Sequence, residues 1–170
     1  MLEIRLLGKF AIKFNGKPVT IPSRAAQSLF AYLILTAGTL HRREKLGGIF
    51  WPDSSEEKAR AYLRHELWLI RKTLASKSKL DYLTTDDIHI SFKASAQHWL
   101  DVTALKDLSE SASIEELMQG LSLFHGELLP GFYEDWVAQE REHLQIIYEQ
   151  KIARLLELLE KEKRWQEILE

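Results

Sequence analysis

The feature that most constrains the fold is a stripe of apolar residues at helical spacing in residues 59–74, which read ARAYLRHELWLIRKTL. With Leu63 at the centre of a helical wheel, the other members of the stripe lie within about a quarter turn of it. A helix of this kind buries one face, so the segment predicts a globular core beside a long helix. The stripe consists of Ala59, Leu63, Leu67, Ile70 and Leu74.

The face opposite that stripe combines cations with one large aromatic side chain, Trp68. A cationic helix face is the electrostatic footprint of nucleic-acid binding, and it is also compatible with a solvated basic surface. Two interpretations of Trp68 stay open, contact with nucleic acid or packing against a neighbouring domain. The other cationic and polar positions on this side of the wheel are Arg60, Arg64, His65, Arg71 and Lys72.

The segments around this helix predict a small mixed domain. Residues alternate between apolar and polar near the N-terminus, which is typical of strands, and Asn15-Gly16 marks a tight turn. Ser23 is a suitable N-cap for a helix closed by Gly38, and Thr39 or His41 could cap the next helix. Strands are predicted over residues 2–8, 10–14, 17–21, 80–84 and 88–92, and helices over 23–38, 39–50 and 55–76.

After residue 93 the sequence changes character. Residues 94–100 are small and polar and predict a linker, and everything from Asp101 onward predicts helices. Ser113 with Glu116 forms the pattern of a capping box. The predicted helices cover residues 101–111, 113–126 and 136–163, and RWQEILE at 164–170 predicts the start of another.

The charges divide between the two halves. Residues 1–93 carry 16 Lys and Arg against 9 Asp and Glu, a balance of +7, whereas residues 94–170 have a balance of −9. This asymmetry predicts a basic half that meets a polyanion and an acidic half that does not.

The sequence offers little for catalysis or cofactor binding. Cys is absent, which excludes disulfides and thiolate metal sites and is compatible with a reducing cytosol. His65-Glu66 begins like a zinc-protease motif, but Leu69 stands where the second His is required. Gly47-Gly48 lacks the Lys that follows in a phosphate-binding loop. No signal peptide and no membrane span are expected, and we predict no enzymatic activity, catalytic residue, metal or cofactor.

The order of these elements resembles the OmpR-type winged helix. The pattern AxxYLRxxLxxIRKxL is similar to the recognition helix of the SARP family of transcriptional regulators. In the second half, HWLDVTAL and GELLPGFYEDWVAQERE resemble the bacterial transcriptional activator domain, a helical, TPR-like module. The similarity covers essentially the whole chain, and GELLPGFYEDWVAQERE is its most specific part.

The resemblance implies a mostly α fold with small β elements, a winged helix-turn-helix followed by a TPR-like all-helical domain. Its domains would be residues 1–93, a linker at 94–100, and 101–170. The implied function is a sequence-specific activator that places a recognition helix, residues 55–76, in the major groove of double-stranded DNA. The predicted DNA-binding residues are Arg42, Arg43, Lys45, Lys58, Arg60, Arg64, His65, Trp68, Arg71 and Lys72.

Further expectations follow from the resemblance. RNA polymerase and a second copy of the chain are candidate partners, and the expected location is the cytoplasm. Regulators of this layout often continue into an ATPase domain, so the chain is expected to be the N-terminal part of a larger regulator. The alternative is a protein-interaction module whose basic helix docks on an acidic partner.

The wing of this chain departs from the OmpR-type pattern. Such wings commonly carry a glycine and a basic residue at the hairpin tip, whereas this tip has Asp86 and Asp87. Two carboxylates beside a phosphate backbone are repulsive, so insertion of this wing into the minor groove is not expected. Lys77, Lys79 and Lys93, at the base of the wing, could still approach phosphates.

Overall fold

The computed structural model describes residues 1–77 and 80–164 of the chain. These residues form two compact units. The first contains Met1–Ile4 and Ala11–His98, and the second contains Arg5–Phe10 and the described residues from Trp99 onward. The short N-terminal segment Arg5–Phe10 therefore belongs to a different unit from the residues on either side of it.

Residues 1–100 contain three helices and two small sheets, and the strands β1 and β7 each include residues that belong to the second unit. One sheet has the strand order β3-β2-β1-β7, and the other has the order β4-β6-β5. In chain order the elements are β1 (Leu2–Arg5), β2 (Ala11–Phe14), β3 (Lys17–Val19), α1 (Arg24–Leu35), β4 (His41–Arg42), α2 (Arg43–Phe50), α3 (Glu56–Ala75), β5 (Leu83–Thr85), β6 (His89–Phe92) and β7 (His98–Leu100).

The predicted turn between β2 and β3 is confirmed. Asn15 and Gly16 have φ values of +48° and +78°, which a two-residue hairpin turn of this type requires. The turn sets the antiparallel register, with Ile12 opposite Val19. Both of these side chains are buried, so the period-2 pattern of the sequence faces the core.

The predicted start of the second helix is wrong. His41 and Arg42 form β4 instead of the first helical turn, because their backbone pairs antiparallel with Ile90 and His89 of β6. Neither Thr39 nor His41 is the N-cap of α2; Arg42 holds that position without a side-chain cap bond. The His41 side chain is buried, and its Nε2 lies 2.7 Å from the Thr36 Oγ1 atom.

The described part of the second unit is built from three helices, and its predicted capping box is confirmed. Ser113 accepts from the backbone N–H of Glu116, whose carboxylate accepts in return from the N–H of Ser113. The helix predicted over 101–111 ends earlier, at Lys106, and residues 165–170 of the predicted last helix lie outside the described residues. The helices are α4 (Asp101–Lys106), α5 (Ile114–Leu121) and α6 (Asp135–Lys161).

The last three residues of the stretch 94–100, where a linker is predicted, form β7. Directly after β7, the buried Asp101 carboxylate accepts backbone N–H bonds at 2.8–3.0 Å from Leu6, Leu7 and Val102. Burial raises the pKa of this carboxyl, against the opposing effect of those N–H donors and of the Arg5 charge. Asp101 thereby fixes the N-terminal segment within the second unit.

A second charged side chain organises the loop before α6. Arg141 donates from Nε to the Leu128 carbonyl at 2.7 Å, and from one Nη to the carbonyls of Leu129 and Phe132 at 2.7 and 3.0 Å. Leu129 has a φ of +48°, an uncommon backbone conformation for a leucine. The motif GELLPGFYEDWVAQERE thus comprises this loop and the first turns of α6, which carry the arginine that binds the loop carbonyls.

Candidate nucleic-acid interface

The platform of the candidate site is α3, and its orientation follows the sequence pattern. Ser55 caps the helix by accepting from the Lys58 N–H, and Glu56 and Glu57 lie in the first turn, where negative charge favours a helix. All five residues of the apolar stripe are buried, so the predicted inner face is confirmed. Glu66 is also buried on this helix, which the sequence did not indicate.

The opposite face of α3 is exposed, as the helical wheel predicts. Trp68 retains 51% of its accessible surface, an unusual exposure for the largest apolar side chain. Cationic and polar residues surround it along the helix, so this face offers both charge and an aromatic surface. The exposed predicted residues on α3 are Lys58, Arg60, Arg64, His65, Trp68, Arg71 and Lys72.

Trp68 is held by its neighbours on the same helix. The Lys72 ammonium lies 4.6 Å from the centroid of the indole ring, a distance typical of a cation–π interaction. The His65 ring lies 6.0 Å from the Trp68 ring, centroid to centroid, at an interplanar angle of 30°. The exposed indole is therefore in contact with two polar side chains of its own helix.

The cations at the start of α2 differ in the groups that they contact. Arg42 and Lys45 are exposed, and neither makes an ion pair within residues 1–77 and 80–164. Arg43 is half-buried, and its Nε donates to the carbonyl of Asp86 at 2.9 Å while its backbone N–H donates to Ile88. Arg43 therefore anchors the wing, a role that its position at a helix start did not predict.

The wing tip uses one of its two aspartates to form the turn. Asp86 Oδ1 accepts from the N–H groups of Ile88 and His89 at 2.7 and 2.6 Å, and these bonds lower the pKa of the Asp86 carboxyl. The carboxylate thus stabilises the turn by accepting from two backbone N–H groups. Asp87 is exposed beside it.

The base of the wing also receives an α3 cation. Arg71 donates to the Thr85 hydroxyl at 2.6 Å and lies 4.0 Å from the Asp81 carboxylate, which is 3.7 Å from Lys93. Arg71 therefore joins α3 to the wing. Lys77 is exposed, and Lys79 lies outside the described residues.

An open groove of ≈ 970 Å³ lies between the start of α2, the start of α3 and the wing tip. Its wall alternates guanidinium and carboxylate groups, so the net charge of the groove is far lower than its number of cations suggests. The charged residues that line it are Arg42, Arg43, Arg60 and Arg64, with Glu44, Glu56, Glu57 and Asp87.

Two arginines of this groove differ in their partners. Arg60 is ion-paired with Glu56 one helical turn earlier and lies 3.7 Å from the Glu44 carboxylate of α2. Arg64 makes no ion pair with any described residue, so its guanidinium is available to a ligand. The i,i+4 spacing of Glu56 and Arg60 could have indicated the first pair from the sequence, whereas Glu44 comes from another helix.

The site contains nothing that suggests a bound metal. In the described ranges, no three His, Asp or Glu side chains are grouped as metal ligands. A search of the same ranges finds no helix with the length and hydropathy to cross a bilayer.

Comparison with known proteins supports the fold. No family model and no curated protein sequence matches this chain. Among solved structures, the chain is similar to Mycobacterium tuberculosis EmbR in complex with a low-affinity phosphopeptide, with a TM-score of 0.66 and 15% sequence identity. The match covers 93% of this chain and 42% of the EmbR chain, so this chain spans less than half the length of that protein. It confirms the predicted fold class, a mostly α chain with small β elements in which a winged helix is followed by a helical unit.

Proposed function

We propose that this chain is a transcriptional regulator of the SARP type that binds double-stranded DNA sequence-specifically and activates transcription. The observation that carries the proposal is the outer face of α3, where Arg64 and Trp68 are exposed on a helix whose other face is buried in a winged-helix core. The major groove of B-DNA admits an α-helix, and Arg is well suited to contact either guanine edges or phosphates there.

The contacts within the protein assign different tasks to the predicted residues. Arg64 is the foremost candidate for a base contact, because no side chain of the described residues competes for it. Exposed cations around α3 would hold phosphates, and Trp68 would provide an apolar surface for a thymine methyl or a sugar. Arg43 and Arg71 would act mainly by holding the wing. The phosphate-contacting group comprises Arg42, Lys45, Lys58 and Lys72, with His65 beside Trp68.

The wing itself has a limited role in this proposal. Asp87 would repel the phosphate backbone, and Asp86 is used to form the turn. We therefore propose that recognition comes from the major groove, with phosphate contacts near the base of the wing from Lys77 and Lys93.

The second unit would serve regulation. We propose a DNA-binding domain at residues 1–93, a joint at 94–100 and a TPR-like activator domain at 101–170, whose negative balance of −9 makes it unsuited to contact DNA. RNA polymerase is the proposed partner of this domain, and a second copy of the chain would occupy a repeated half-site. The proposed place of action is the cytoplasm.

The decisive experiment is selection of bound duplexes from a random pool, followed by titration of the selected and random duplexes at several salt concentrations. We expect a consensus sequence, and a log–log salt slope of about −0.9 for each phosphate neutralised. Arg64→Ala should weaken binding to the selected duplex by roughly tenfold and leave the melting temperature nearly unchanged, since a lost base contact costs about 1–3 kcal/mol. Lys13→Ala, which removes an exposed cation from β2, is the matched control.

Failure of that selection would favour the alternative. If the pool yields no consensus and both duplexes bind equally weakly, the chain is instead a protein-interaction module whose basic helix meets an acidic partner. If Arg64→Ala and Lys13→Ala lower affinity equally, binding is governed by net charge, and α3 does not read sequence.

A further inference from the structure

We propose that Glu44 and Glu56 determine sequence selectivity by holding Arg60, so that Arg60 contributes to base recognition without adding to non-specific attraction for phosphates. The inference rests on the proposed function. It concerns the ion pairs of Arg60 with carboxylates from two different helices, at the mouth of the groove between α2, α3 and the wing.

The ion pairs of Arg60 reduce its attraction for phosphates in general. An unpaired arginine at this surface attracts any phosphate, and this attraction is independent of sequence. Glu56 and Glu44 neutralise the Arg60 guanidinium locally, so a random duplex gains little from it. A phosphate that displaced them would leave both carboxylates beside the DNA backbone, and this repulsion disfavours the exchange.

The same ion pairs orient the Arg60 guanidinium. A guanidinium has five N–H donors in a fixed planar arrangement, and both carboxylates approach the same Nη atom of Arg60, so the other donors are left for a third group. The carboxylates also restrict an otherwise flexible side chain, which lowers the entropy lost when it binds a base edge. The guanidinium is thus oriented at the first turns of α3, where recognition helices contact bases.

The neighbouring Glu57 provides an internal comparison. It lines the same groove and lies in the same helical turn, yet it makes no ion pair with the described residues. Glu57→Gln removes the same formal charge from the same groove as Glu56→Gln without releasing Arg60. The two substitutions therefore separate the held arginine from a general effect of charge.

The test measures the affinity of the full chain for a selected duplex and for a random duplex, for wild type, Glu56→Gln, Glu44→Gln and Glu57→Gln. We expect Glu56→Gln to raise random-duplex affinity about fivefold at physiological salt and to steepen the salt slope by about 0.9, because one new phosphate contact becomes possible. Affinity for the selected duplex should rise less, so the ratio of specific to random affinity should fall. Glu44→Gln should act in the same direction more weakly, and Glu57→Gln least.

The results that would overturn the inference are distinct from failure of the proposed function. Equal effects of Glu56→Gln and Glu57→Gln, or an unchanged ratio in Glu56→Gln, would show that Arg60 is not held for selectivity. A wild-type chain that binds neither duplex would reject the proposed function and this inference with it. Because these carboxylates are exposed, all three variants should fold, and an unchanged melting temperature checks this.

Discussion

Arg64 on α3 and Arg141 on α6 show two opposite uses of one residue type. Arg141 donates to three backbone carbonyls of the loop before its helix, whereas Arg64 has no ion-pair partner in the described chain. The same contrast separates Asp101, which accepts from three backbone N–H groups, from exposed Asp87. A charged side chain therefore points to a ligand only after its internal partners have been counted.

The largest expected effect on stability is that of Asp101→Ala. The substitution leaves the buried N–H groups of Leu6 and Leu7 without an acceptor, and hydrogen bonds to a charged group contribute about 1.5–3 kcal/mol each before compensation. We expect the free energy of unfolding, measured by urea denaturation, to fall by roughly 2–4 kcal/mol. Hydrogen exchange at the Leu6 and Leu7 amides should accelerate in parallel.

The control for that prediction lies at the other end of the same helix. Asp107 is exposed, so Asp107→Ala should change the free energy of unfolding by no more than about 0.5 kcal/mol. If both variants had the same small effect, the buried carboxylate would not be holding the N-terminal segment, and the contrast with Asp87 would lose its basis.

A smaller effect on stability is expected for the exposed face of α3, at Trp68. Trp68→Ala should lower the free energy of unfolding by only about 1 kcal/mol, because the indole is half-exposed and contacts Lys72 and His65 of its own helix. Loss of an aromatic contact should weaken binding to a selected duplex by about fivefold, or roughly 1 kcal/mol. Tryptophan fluorescence during titration should show a DNA-dependent change that the variant lacks.

The opposite outcome for Trp68 is equally informative. If Trp68→Ala lowers the melting temperature and leaves DNA affinity intact, its indole serves packing against a neighbouring domain. Tyr62→Ala on the same helix is a suitable control, because Tyr62 has similar exposure and lies on the other flank.

The smallest expected effect concerns His41, a buried titratable group of the winged-helix unit. Burial, and secondarily the charge of Lys45, lowers the pKa of His41 below its usual value. The unfolded chain therefore takes up a proton before the folded chain does, as pH falls below about 6.5. The stability that neutral His41 contributes is present above that pH and is lost as pH falls toward the lowered pKa.

A pair of variants isolates this contribution. Between pH 7 and pH 5, wild type should lose more stability than His41→Gln, whereas His125→Gln, a change at an exposed histidine, should follow wild type. If wild type and His41→Gln have parallel pH profiles, His41 does not titrate differently in the folded and unfolded states.

Local patterns predicted most of the fold. The stripe of α3, the Asn15-Gly16 turn and the Ser113 capping box are each determined by residues within a few positions of one another, and all three are confirmed. The errors occur where distant residues decide the outcome. His41 and Arg42 are extended because β6 pairs with them.

The candidate site shows the same limit. Periodicity was sufficient to separate the buried and exposed faces of α3, because both depend only on helical spacing. It could not show that Arg43 and Arg71 are engaged by the wing, since their partners are 43 and 14 residues away. The pairing of Arg60 with Glu44 is likewise a product of helix packing.

The placement of Arg5–Phe10 in the second unit has a consequence for synthesis. Leu6 is separated from its partner Asp101 by 95 positions, so at about 5–20 residues per second the segment leaves the ribosome roughly 5–20 s before its partner exists. In that interval β1 lacks its neighbour β7, which has not yet been synthesised. A fragment of the chain that ends before residue 99 never supplies that partner, so dissection of the chain should move residues 5–10 together with the second unit.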